Sequence, residues 1–131
     1  MASWPDLKQY IDTKYKIQDD KGDLVNLIFT FPNDNNRSQI VTIGLRTLNG
    51  EEWVTIDSPI GKMSEVDVTR AVQLAGDLVC GAISSVQDWV TLRDSFPIAN
   101  LDTNEFEAPL HLICGTADDL EKELTGGADR V

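Results

Sequence analysis

Chemistry has few places to reside in these 131 residues. There is one histidine, His111, and there are two cysteines, Cys80 and Cys114. A lone histidine cannot build a histidine-based metal site, and no His or Cys pair has ligand spacing. A Cys–His nucleophilic pair would need the fold to carry Cys80 to His111. Otherwise His111 is a histidine on a helix surface or rim. Each cysteine sits in an apolar run and reads as a small buried hydrophobe. Two cysteines do not form a disulfide framework, although one buried bridge or redox pair stays open.

Other signatures are missing. There is no P-loop, no Gly-x-Gly-x-x-Gly after a strand and no Gly-x-Ser-x-Gly elbow. Asn33-Asp34-Asn35-Asn36 is rich in oxygen but lacks the spacing of a calcium loop, so it reads as a polar hairpin tip. Asp118-Asp119-Leu120-Glu121 reads as the solvated face of a helix, because successive helical residues point in different directions. Asp57 and Asp77 are candidate buried acids with no base assigned to them. The expectation is a non-enzymatic chain without catalytic, cofactor-binding or metal residues. Since active sites are assembled in space, a polar cleft joining His111, Cys80 and carboxylates would reverse it.

The elements that would carry a site follow from composition and pattern. Apolar residues make up 41% and charged residues 25%, a globular balance that fits one domain ordered over about 3–125. No apolar stretch approaches a membrane span, and the first residues lack the basic and apolar regions of a secretory signal, so the expected compartment is the cytoplasm. The net charge of −11 argues against nucleic acid. Residues 1–50 balance 6 acids with 6 bases, so the acidity belongs to the second half. It serves solubility or attracts a basic partner segment.

Ser3-Trp4-Pro5-Asp6 predicts a helix start, with Trp4, Leu7 and Ile11 at helical spacing to about residue 14. Tyr15 and Ile17 alternate with polar residues and predict a short strand. Residues 24–31 read as a central strand ended by Pro32, and 39–47 alternate as another. Asn49-Gly50 is a hairpin turn, and the chain returns over 51–57 until Pro59 and Gly61 break the sheet. A capping-box pattern at Ser64-Glu65-Val66-Asp67 opens a long helix whose apolar stripe runs from Val68 to Val86 and tolerates Gly76 and Gly81 for close backbone approach. Trp89 to about Pro97 is a further strand. Asp102 caps a last helix, with Phe106, Leu110, Ile113, Ala117, Leu120 and Leu124 on one stripe, Pro109 inside it and Gly126-Gly127 at its end. The final residues are expected to be loose. The fold class is α+β: an antiparallel sheet packed with helices, in the order α-β-β-β(-β)-α-β(-β)-α.

The Trp-Val-Thr-Ile-Asp-Ser-Pro stretch from Trp53 to Pro59 is followed by Val-Thr-Leu-Arg-x-x-x-Pro-Ile-x-Asn-Leu from Val90 to Leu101. A final helix contains Gly115-Thr116-Ala117-Asp118. Over about 5–125 this resembles the bacterial YbjN-type family of sensory transduction regulators, which is similar in fold to the class I chaperones of type III secretion. The resemblance implies an α-β-β-β-α-β-β-α sandwich, a homodimer and a loose link to stress responses and regulation.

The function expected is a chaperone-like or adaptor domain that holds a protein or peptide partner in a groove or along a sheet edge. Trp53, Trp89 and Phe96 are the candidate partner-binding aromatics, with core packing as their alternative. Val72, Ala75, Gly76 and Val79 are the candidate dimer seam. The competing reading is a regulatory domain that senses a small ligand in a closed pocket between sheet and middle helix.

Overall fold

Ser3 starts the first helix. Its hydroxyl accepts from Asp6 N at 3.3 Å, and Pro5 occupies the first turn, where a missing N–H costs nothing. In the computed structural model, which describes residues 1–126, this helix is α1, Trp4–Lys14. Strands β1 (Asp19–Asp20), β2 (Leu24–Phe31), β3 (Arg37–Leu48) and β4 (Glu51–Lys62) follow. Then come α2 (Val68–Ala75), β5 (Ala82–Val86), β6 (Trp89–Pro97) and α3 (Thr103–Thr125). The six strands form one antiparallel sheet in the order β1-β2-β3-β4-β6-β5. This is the α+β arrangement expected, with both optional strands present.

Alternation along the strands divides the sheet into two faces. Val25, Leu27, Val41, Ile43, Val54, Ile56, Val90 and Leu92 point to one side and are buried with Leu7 and Ile11 of α1 and Phe106, Leu110, Ile113 and Ala117 of α3. The capping box at the start of α3 forms as predicted: Glu105 N donates to Asp102 Oδ1 at 2.8 Å, and Asp102 N donates to Glu105 Oε1 at 3.0 Å. Gly126 ends the helix in the left-handed region, with φ of 69°. The expectation of a loose tail beyond it lies outside the described residues. Asn49 and Gly50, at φ of 52° and 78°, make the tight β3–β4 turn.

Four local expectations are corrected. Tyr15 and Ile17 are half-buried between exposed neighbours, so their alternation is real, but they pair with no strand; β1 begins at Asp19. Pro59 and Gly61 do not break the sheet: β4 runs on to Lys62, absorbing them in a register shift opposite β6. The long middle helix is replaced by the short α2, capped by Asp67 rather than Ser64, and by the edge strand β5. Gly81 lies in the connection at φ +98°, and a Cβ there would stand 2.8 Å from Ile113 Cδ1 and 3.1 Å from Leu92 Cδ1. The close approach it permits is to its own chain's side chains.

The fourth correction concerns the acidic run of α3. Asp119 is exposed, but Asp118 and Glu121 are buried, three residues apart on one face. They converge on Arg37, whose Nε donates to Asp118 Oδ1 at 3.1 Å and whose Nη2 donates to Glu121 Oε1 at 3.0 Å. This buried ion cluster ties the start of β3 to the end of α3.

Candidate functional site

The face of the sheet away from the helices carries a broad concavity. It is a half-open groove of about 750 Å³, and none of its lining residues comes from a helix. It runs diagonally over five strands, from Asp23, Leu24 and Arg46 at one corner to Val86 and Trp89 at the other. Four strand spacings give a width of about 19 Å. Leu24, Ile40, Pro59, Val86 and Trp89 make it largely apolar. These are the outward positions of β2 to β6, in alternation with the core.

A polar node lies within the groove. Asp57 is only 8% exposed, and its Oδ1 accepts from Arg93 Nε at 2.7 Å and from Thr91 Oγ1 at 3.2 Å. The β4–β6 register puts Asp57 opposite Arg93, which is why the two meet. On the far side, Thr42 Oγ1 donates to Asn26 Oδ1 at 2.6 Å. The base for Asp57 was missed in the sequence because the partners are 36 residues apart.

The three expected aromatics are not brought together. Trp89 lines the groove beneath Lys62 Nζ, 5.9 Å from the ring centroid. Trp53 is half-buried at the groove's margin, directly opposite Arg46 and Pro97 in the strand register. Phe96 pairs with Val54 and so faces the helix side, where it packs against the core. Of the expected seam, Val72 and Ala75 lie on α2, Gly76 is its C-cap and Val79 stands beyond it; Val72 and Val79 are exposed.

The ionisable residues outside the groove form separate groups. Glu107 of α3 accepts from the hydroxyls of Tyr10 and Tyr15 and lies 3.0 Å from His111 Nε2 and 3.3 Å from Lys14 Nζ. Burial raises the Glu107 carboxyl, but these four hydrogen-bonding partners outweigh it and hold it below the ordinary carboxylate range. Burial first, and then the Glu107 carboxylate, raises both tyrosines. The cluster clasps α1 to α3. Its carboxylate oxygens are already engaged, so it is poorly placed to act as a base.

Cys80 donates to Asp94 Oδ2 at 3.3 Å, and burial followed by that carboxylate pushes its thiol up to about 11. Burial, and then Asp118, pushes Cys114 up to about 12. Both cysteines are free thiols and protonated at neutral pH, the opposite of an activated nucleophile. Cys80 and His111 each keep their own partners rather than meeting. Among the described residues, no three His, Cys, Asp or Glu side chains form a metal-binding group, and no helix is long and apolar enough to cross a membrane. No family model matches the chain, and no curated protein is similar to it.

Proposed function

We propose that this chain is a non-catalytic, chaperone-like or adaptor domain that holds an extended polypeptide segment in the groove on the helix-free face of its sheet. The observation that carries the reading is the groove's shape: half-open, largely apolar and spread over five strands. At about 3.3 Å per extended residue, its width accommodates roughly six residues. The edge strand β5 lies at one end and offers backbone groups to a passing segment. The protonated thiols and the separation of Cys80 from His111 support a non-catalytic role. The element order suits a YbjN-type regulator or a secretion-chaperone relative. The exposed valines at Val72 and Val79 support a homodimer through the α2 side.

A random heptapeptide library passed over the immobilised chain tests this. Wild type should retain a subset of peptides. Ile40→Glu, which buries a charge in the groove wall, should weaken the selected peptides by about tenfold or more, with an unchanged circular dichroism spectrum. Equal binding by the variant would move the site elsewhere, and no retention by wild type would remove the reading.

The second reading is a small-ligand sensor. It is favoured by the groove's volume, which lies within the range of small-molecule sites, and by the polar node at Asp57, Arg93 and Thr91.

A further inference from the structure

We propose that Tyr10, Tyr15, Glu107 and His111, gathered at the clasp between α1 and α3, bind a ferric ion. The site stands apart from the groove, which no helix lines. Glu107 and His111 lie one turn apart on α3, the spacing that puts two side chains side by side. Tyr10 comes from α1, and Tyr15 is its C-cap. His111 Nε2 stands 3.0 Å from Glu107 Oε2 and 3.1 Å from the Tyr15 hydroxyl, and that hydroxyl donates to the same carboxylate oxygen. The three atoms form a triangle. Donors about 2.0–2.2 Å from a metal ion and at right angles to one another are roughly 3 Å apart, so the triangle matches one face of an octahedral site. Tyr10 donates to the other carboxylate oxygen, Oε1, at 2.6 Å and supplies a fourth donor.

The donor types select the ion. One carboxylate, two phenolates and a neutral imidazole together carry the charge that a trivalent cation cancels. Phenolate oxygen is a hard donor and suits a hard, highly charged ion, while imidazole suits iron as well as zinc and copper. Burial first, and then Glu107, raises both phenols. A divalent ion competes poorly for such protons at neutral pH, whereas ferric iron, a far stronger Lewis acid, displaces them. Binding forms iron–oxygen bonds in place of the two phenolic O–H bonds, releases both protons to solvent and moves no electron.

The rings are held in place, and the site is open on one side. The ring centroids of Tyr15 and Phe29 are 5.6 Å apart, those of Phe29 and His111 6.1 Å, and those of Tyr10 and Phe106 6.1 Å. Donors fixed by packing need little reordering to bind an ion. The His111 side chain is 57% exposed and that of Glu107 only 13%, so the ion enters past the imidazole. Lys14 opposes it: its Nζ lies 3.3 Å from Glu107 Oε1 and 3.4 Å from the Tyr10 hydroxyl. The lysine thus supplies a positive charge to the cluster in the metal-free chain. Its flexible, half-exposed side chain swings into solvent as the ion arrives.

The test titrates the full chain with ferric nitrilotriacetate and reads the visible phenolate-to-iron charge-transfer band. Wild type should develop the band and saturate at equimolar iron. Tyr15→Phe and His111→Gln should each weaken binding by about tenfold or more. Tyr10→Phe should keep a weaker band, and Lys14→Gln should bind iron more tightly than wild type. His111 and Lys14 are exposed, so those two variants should keep the circular dichroism spectrum of wild type. Absence of the band in wild type overturns the site. A band that survives both Tyr15→Phe and His111→Gln at full affinity places the iron elsewhere and overturns it as well. Zinc sulfate that shifts the His111 ring resonances at lower concentration than iron requires overturns the choice of a trivalent ion.

Discussion

Glu107 shows how one side chain can hold two helices. Its carboxylate gathers Tyr10, Tyr15 and Lys14 from α1 and its flank, and His111 from its own helix. The carboxyl is held below its ordinary value of 4.5 in the folded chain. A depressed carboxyl contributes stability that is present above the unfolded pKa and is lost as the pH falls through the folded one. Urea unfolding between about pH 7 and pH 3 should therefore show wild type losing stability on acidification. Glu107→Gln should be weaker at neutral pH and lose less over the same range. An acid slope equal to that of wild type would deny Glu107 this role.

At the scale of elements, Gly81 marks what the sequence pattern hid. Val79, Ala82, Ile83 and Val86 fall at helical spacing after α2, so they extend its stripe on paper. In the structure the chain turns at Gly81, and Ala82–Val86 becomes the edge strand β5, pairing with Trp89–Arg93. Short apolar runs satisfy both periods, and the choice is made by pairing with β6. Gly81→Ala should destabilise by about 1–3 kcal/mol, from positive φ and from crowding Ile113 and Leu92. Gly22→Ala, at φ +90° with open space around it, isolates the backbone contribution. Thermal melts should show Gly81→Ala as the worse of the two. Equal losses would mean that the side-chain contact at Gly81 contributes nothing.

Elsewhere the elements were legible because local chemistry decides them: the caps at Ser3 and Asp102, the Asn49-Gly50 turn and the stripe of α3. The groove was not. Thr42, Gly44, Asp57 and Arg93 are unremarkable where they stand in the chain, and only the register of β3, β4 and β6 sets them side by side. The convergence of Asp118 and Glu121 on Arg37 was hidden for the same reason, since Arg37 lies 81 residues from Asp118.

For the molecule as a whole, the exposed valines beside α2 bear on assembly. Val79 has a relative exposure of 103% and Val72 of 55%, both on the α2 side and away from the groove. If this is the seam, a dimer leaves the groove of each protomer free. Sedimentation at micromolar concentration should show a wild-type dimer, and Val72→Asp with Val79→Asp should give a folded monomer. A wild-type monomer would rule the seam out.

The diagonal groove and the hydrophobic core are written on the same strands at alternate residues. Along β3, Val41 and Ile43 belong to the core, while Ile40, Thr42 and Arg46 belong to the groove. Evolution can therefore edit one register without rewriting the other. Changes at groove positions alter what is held and leave the packing beneath them in place, so partner preference is free to diverge between descendants that keep one shared architecture.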